Sequence, residues 1–275
     1  MHLFLSRRFF GLLTTGLLLA AGARAQAPLR PAAAVVEAAP SDEQSYRKEF
    51  VFGVNFNTQG GLLGGASIRA SRLLDDRLLR FWSLEGVMLK NGKEGNTSSK
   101  VFGGSSVTRK TNYAFVLRPS VGIQRILFRK AADAGVQVNG LLSVGPSLGL
   151  LMPYYIVYNR TYARTGTYNL GTDDIVTEQY DPIKHTNSDA IIDRGPLFSG
   201  IGQTKLVPGF HLRGGLSFEY GRYRDAVTGV EVGFLVEAYT KRLYILIPEG
   251  PVEKDVLNRQ FFPSVYLTLY FGQRS

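Results

Sequence analysis

From residue 47 onward, apolar and polar side chains alternate with a period of two. The clearest run is Val136 to Leu150. Val136, Val138, Leu142, Val144, Leu148 and Leu150, with Gly140 and Pro146, fall on one face, while Gln137, Asn139, Leu141, Ser143 and Ser147, with Gly145 and Gly149, fall on the other. Helical spacing would mix these two sets, so the run reads as a strand. It is longer than a typical globular strand and suits one that crosses a membrane at a tilt.

The same rhythm recurs along the chain. Phe50, Phe52, Val54 and Phe56 alternate with Val51, Gly53, Asn55 and Asn57. Leu62, Gly64, Ala66, Ile68 and Ala70 alternate with Ser67, Arg69 and Ser71; a weaker segment sets Trp82, Leu84 and Met88 against Ser83 and Glu85. Tyr113 to Ile123 shows Phe115, Leu117, Pro119 and Val121 opposite Arg118, Ser120 and Gln124. Phe210 to Phe218 opposes His211, Arg213, Ser217 and Glu219, and Val230 to Ala238 opposes Glu231, Gly233 and Glu237. Val265, Leu267, Leu269 and Phe271 alternate with Ser264, Tyr266, Thr268 and Tyr270. The total is eight strands, an even number, as a single-chain bacterial barrel requires. The pattern predicts an all-β fold, an eight-stranded antiparallel transmembrane β-barrel. A soluble β-sandwich is the alternative fold.

Connection lengths separate the two. Short turns are expected at Asp75-Asp76, at 131–134 and at 222–228, and long connections at 91–110, 153–207 and 242–260; only the first outer loop, Asn57–Gly61, breaks the trend. Short turns on one rim and long loops on the other are the habit of outer-membrane barrels, with the short turns periplasmic. A sandwich has no reason to alternate in this way. Aromatic residues fall into two expected belts. Phe50, Phe52, Trp82, Phe128, Tyr220 and Phe271 mark one rim, and Phe56, Tyr113, Tyr154, Phe210, Phe261 and Phe262 the other.

Composition narrows the setting. Apolar residues make up 44% of the 275 residues, and no stretch beyond the N-terminus is apolar enough to span as a helix. There is no cysteine, which excludes disulfides, thiolate metal sites and a lipidated N-terminal Cys. Arg7 and Arg8, the apolar run Phe9–Ala21 and the small residues Ala23-Arg24-Ala25 form a secretory signal. Residues 1–25 are expected to be removed, by the ordinary rather than the twin-arginine route, and the Ala- and Pro-rich residues 26–46 to form a periplasmic linker. Loss of three Arg takes the net charge from +10 to +7. In an exported barrel this basic balance points to lipid headgroups and lipopolysaccharide phosphates, not to nucleic acid.

The signal peptide and the strand–loop rhythm of 47–275 resemble the small outer-membrane barrels of the OmpA/OmpX type. Gly53-Val-Asn-Phe-Asn-Thr-Gln-Gly60 and Gly145-Pro-Ser-Leu-Gly-Leu-Leu-Met-Pro153 are similar to segments of a barrel family from gliding-type Gram-negative bacteria. The resemblance implies an outer-membrane location and no particular activity. One departure is the C-terminus, where such barrels often end on Phe and Phe271 here is followed by Gly-Gln-Arg-Ser.

The polar face carries the candidate chemistry. Arg69, Glu85, Arg118, Arg213, Glu219, Glu231 and Glu237 are expected to form a lumen salt-bridge network, with Glu219 near Glu231 and with Arg213 level with Glu237. His211 faces the lumen, whereas a lipid-hydrolysing site would need His, Ser and an acid on the lipid side. His185 and the acids Asp173, Asp174, Asp181, Asp189 and Asp193 lie in the longest loop without the spacing of a calcium loop. No catalytic, cofactor-binding or metal-binding residues are therefore assigned. Pro119 and Pro146 count to nearly opposite positions, which suggests a shared β-bulge. The reading is a non-enzymatic barrel with a structural or interaction role through its long loops, whose partner is a protein or surface polymer. A porin-like small-solute channel comes second and a lipid-modifying enzyme third.

Overall fold

The computed structural model describes residues 47–129, 135–169, 171–220, 226–248 and 254–275. The expected signal peptide, the linker and most of two expected turns lie outside these residues. The strands are β1 (Lys48–Asn57), β2 (Gly61–Asp75), β3 (Leu78–Leu89), β4 (Gly95–Ser98), β5 (Ser105–Thr108), β6 (Asn112–Phe128) and β7 (Val136–Pro153). They continue with β8 (Tyr155–Asn159), β9 (Ile175–Gln179), β10 (Ile191–Arg194), β11 (Lys205–Tyr220), β12 (Ala226–Leu243) and β13 (Arg259–Arg274). Among the described residues no helix is long and apolar enough to cross a membrane.

Eight of these strands form one antiparallel sheet in the order β1-β13-β12-β11-β7-β6-β3-β2, and the pairing of β1 with both β2 and β13 closes it into a barrel. The eight are the runs that the period-two pattern marks. At one end the links are short, as between Asp75 and Leu78; at the other, residues 90–111, 154–204 and 244–258 bridge β3 to β6, β7 to β11 and β12 to β13. These are the turn end and the loop end. Strands β6, β7, β11, β12 and β13 run 16 to 18 residues, against 10 for β1 and 12 for β3. The long strands exceed the roughly 9–11 residues that a tilted strand needs to cross a bilayer and extend the sheet towards the loop end.

Alternation becomes two surfaces. Leu142, Leu216, Trp82, Phe234 and Leu267 point outward and are exposed, while Asn139, Ser143, Ser147, Ser217 and Glu219 are buried inside. At the turn end Phe50, Phe52, Trp82, Phe128, Tyr220 and Phe271 all lie exposed on the outside. At the loop end Phe210 and Phe261 do so, but two expected belt members do not. Phe262 is buried because it follows Phe261 and must face the other way, and Tyr154 is fully buried where the chain leaves β7.

The lumen is stratified. Charged groups fill its middle, and towards the loop end it is capped by an apolar plug of Val87, Leu89, Val116, Leu151, Leu243 and Phe262 with their neighbours. Beyond the plug the long connections build a layer of their own. β8 pairs with β9 and β10, β4 pairs with β5, and Val107, Tyr154, Ile156, Tyr158, Tyr180 and Ile191 form its core.

The prolines give a correction. Pairing of β6 with β7 runs through Leu117↔Leu148, lapses, and resumes at Val121↔Val144, the same register. Pro119 and Pro146 therefore face each other directly, but no extra residue is inserted and there is no bulge. Two residues without an N–H share one lapse in the ladder, so the missing donors disrupt a single place. The strands stay close there, since a side chain at Gly145 would meet the Pro119 carbonyl oxygen at 2.0 Å. The register shift of this pair lies elsewhere, between Ile126 and Phe128.

Candidate functional site

Six of the seven lumen residues lie in one alternating chain of charges. Arg69 Nη1 reaches Glu231 at 2.8 Å, and Arg213 reaches Glu231 at 2.9 Å and Glu85 at 3.2 Å. Arg118 reaches Glu85 at 3.4 Å and grips both oxygens of Glu237 at 2.6 and 2.8 Å. The six residues come from inward positions on five strands, β2, β3, β6, β11 and β12, so the chain Arg69–Glu231–Arg213–Glu85–Arg118–Glu237 crosses the lumen from wall to wall. Further donors reach two of the three carboxylates, while Glu85 Oε1 and Arg69 Nε are buried without a partner. Tyr266 donates to Glu231 at 2.8 Å, and Ser147 and Tyr239 donate to Glu237 at 2.9 and 3.0 Å. The Arg213 guanidinium lies 3.9 Å from the centre of the Tyr266 ring. Buried ion pairs hold only when hydrogen bonds of this kind complete them.

Two expectations need correcting. Arg213 stands opposite Leu235, while Glu237 stands opposite His211, so Arg213 and Glu237 are two residues out of level and take other partners. Glu219 is not beside Glu231, which faces Ser217; it joins Arg274 and Glu49 at the turn end. Arg274 donates to Glu49 at 2.9 and 3.0 Å and to Glu219. Glu49 and Arg274 are the lumen charges that the sequence reading omitted. Both follow the alternation, Glu49 two before Val51 and Arg274 four after Tyr270, but the residues after Phe271 read as an overhang and not as strand.

His211 is buried and held by Ser120 at Nε2 (2.8 Å) and Ser147 at Nδ1 (3.1 Å), with Ser147 passing on to Glu237. The order serine, histidine, serine, carboxylate invites comparison with a hydrolytic relay. It faces inward, into the lumen. The lumen void that the described residues line, about 20 Å³, is bordered by Arg69, Glu85, Arg213 and Glu231 and not by His211. That volume suits about one water molecule. The group acts as packing for the lumen at the level of the two prolines.

The loop layer holds the large recess. A cleft of about 1120 Å³ lies between the β4–β5 hairpin, residues 179–191 and Ile247-Pro248, so each long connection contributes a wall. His185 separates it from a shallower recess of about 390 Å³ beside Arg160 and Arg164. Its ring sits between Tyr158 and Tyr180, 4.6 and 5.7 Å away. Its Nδ1 accepts the Asp181 N–H at 2.9 Å, which leaves Nε2 to donate towards Glu178 at 3.2 Å. Glu178 also receives Arg160 at 2.7 Å, and this hydrogen bond, helped by His185, holds its carboxyl below the usual value. Burial pushes Tyr154 up to about 12, while its oxygen accepts the Val107 N–H at 3.1 Å. Lys110 is pulled below its ordinary value by burial, against the opposing effect of Glu94 at 2.7 Å.

The loop acids serve turns. Asp173 accepts from Asn159 at 2.7 Å, Asp181 from the Ile183 N–H at 2.9 Å and Asp193 from the Ser105 N–H at 3.2 Å. Among the described residues no three His, Cys, Asp or Glu converge as metal ligands would.

No protein-family model matches the chain, and no curated protein does. Among solved structures it is similar to Ail, the attachment invasion locus protein of Yersinia pestis, in complex with the heparin analogue sucrose octasulfate. That match has 9% identity and a TM-score of 0.35, over 84% of this chain and 100% of that one. A second Ail structure matches at 8% identity and a TM-score of 0.36 with the same coverage. Neisserial surface protein A matches at 8% and 0.34, over 84% of this chain and 97% of that one. The functional reading rests on the chain's own geometry.

Proposed function

We propose that the chain is exported and sits in an outer membrane as an eight-stranded barrel, its turn end in the periplasm and its loop layer outside, where it serves a non-enzymatic structural or interaction role. The observation that carries this reading is the inversion of the barrel. Its outer face is apolar and ringed by exposed aromatics, while its interior holds the buried charges. A water-soluble barrel would place these the other way round. The lumen charges act as a fixed plug. Among the described residues a continuous chain of ion pairs and an apolar cap fill the lumen around a void of about 20 Å³. This argues against a channel, and the inward burial of His211 argues against lipid hydrolysis.

Two measurements test the reading. Detergent-extracted protein, run unheated and heated on a denaturing gel, should migrate differently, as closed barrels do; identical mobility would return the soluble sandwich. In planar bilayers the purified protein should be electrically silent. Steady unitary conductance would replace the plugged-barrel role with a transport one.

A further inference from the structure

The cleft in the loop layer has a lining of one chemical kind. Its polar side chains are mostly uncharged hydroxyls and an amide, chief among them Ser106, Thr111, Gln179, Thr186 and Ser188. Asp181 supplies one carboxylate and Lys184 one ammonium, which balance, and both ring nitrogens of His185 are already engaged. Two of the hydroxyl residues, Ser106 and Thr111, are each only 7% exposed. Neither hydroxyl is among the buried side-chain atoms left without a partner, so each oxygen keeps access to solvent. Both line the same recess, free to meet a ligand, next to apolar ground from Val107, Ile191 and Pro248.

We propose that this cleft binds an uncharged oligosaccharide. Sugars present dense hydroxyls along ring edges and C–H groups on ring faces, which matches hydroxyl and amide donors set among small apolar patches. A sulfated or uronic acid chain would need a cluster of cations, and the cleft offers one balanced lysine. At about 1120 Å³ the space takes a short oligosaccharide and not merely one ring. This inference rests on the reading that the loop layer faces outward, where glycans are met. The same chemistry occurs in animal glycans and in bacterial surface polysaccharides.

The test uses the full processed chain in detergent micelles against an array with three arms. These are neutral animal-type oligosaccharides, neutral fragments of bacterial polysaccharides, and sulfated or uronic acid oligosaccharides. Binding to a neutral glycan is expected, and the arm that responds identifies its source. The Ser106→Val/Thr111→Val double variant should lose about tenfold or more in affinity for that glycan. Gln179→Leu, on the exposed rim, should weaken binding as well and serves if the buried pair disturbs folding. Binding confined to the acidic arm, no binding at all, or neutral binding unchanged in the variants overturns the assignment. The same preparation is checked for heat-modifiable mobility. A heat-modifiable protein without neutral-glycan binding sinks this inference alone, whereas glycan binding without heat-modifiability sinks only the membrane reading.

Discussion

The middle of the lumen and the layer at the loop end are both pinned by buried polar groups, but the pins differ in reach. In the lumen, Arg118 and Glu237 are 119 residues apart in sequence, and Arg69 and Glu231 are 162 apart. In the loop layer, the Asp181 N–H reaches His185 across four residues, and the Tyr162 N–H reaches Asn159 across three. The lumen pins tie strand to strand around the whole barrel. The loop pins mostly fasten a segment to itself. Damage in the first region should therefore be felt globally, and damage in the second should stay local.

The sharpest break in this contrast is Arg118→Ala. It leaves Glu237 buried without its cation and Glu85 with Arg213 alone, and unfolding by urea from micelles should show a loss of roughly 3–5 kcal/mol. A loss no greater than that from Arg160→Ala, in the loop layer, would erase the distinction. Next comes Leu142→Arg, which places a charge on the apolar outer face and should cost about 2–4 kcal/mol if that face meets hydrocarbon. Its neighbour Ser143→Arg crowds the lumen instead. Equal quenching by lipid-borne probes at the two positions would contradict the assignment of faces.

Tyr154→Phe sharpens the comparison from the other side. It leaves the Val107 N–H without its acceptor in the core of the loop layer, a loss of about 1–3 kcal/mol. Proteolysis of the loops should accelerate while the unfolding midpoint of the barrel stays put. A shifted midpoint would mean that the two regions unfold together. The smallest expected effect is with pH. Glu178 has a lowered pKa, so its contribution is full above its ordinary value of 4.5 and fades as pH falls below it. The pair with Arg160 is half exposed, so the effect is small. Loop proteolysis should rise modestly as pH drops below about 4.5, and Glu178→Gln should abolish that dependence.

The barrel was legible in the sequence because a period of two is imposed by the pleat itself, and the eight barrel strands follow it. Which residues lie inside followed directly. Which of them touch did not, since level depends on the residue count of each turn. Glu237 was set against Arg213 by such a count and lies two residues away, opposite His211. Glu49 and Arg274 escaped because strand ends lack the long context that makes alternation visible. The loop layer was the least legible part. β8, β9 and β10 are four or five residues each, too short to show a period. The cleft is built from three connections that only the closed barrel brings together.

Closure itself has a consequence for assembly. The seam joins β1 to β13, and Glu49 meets Arg274 across it from 225 residues away. Neighbours such as β2 and β3 can pair as soon as both exist, but the seam waits for everything between. Until then the chain is a curled ribbon with two bare edges, each ready to accept a strand. One edge carries an acid and the other a base, so the edges attract each other whether they belong to one molecule or to two. Their own tether supplies the local concentration that favours self-closure. At high chain density that advantage narrows, and two ribbons sealed edge to edge become the competing product.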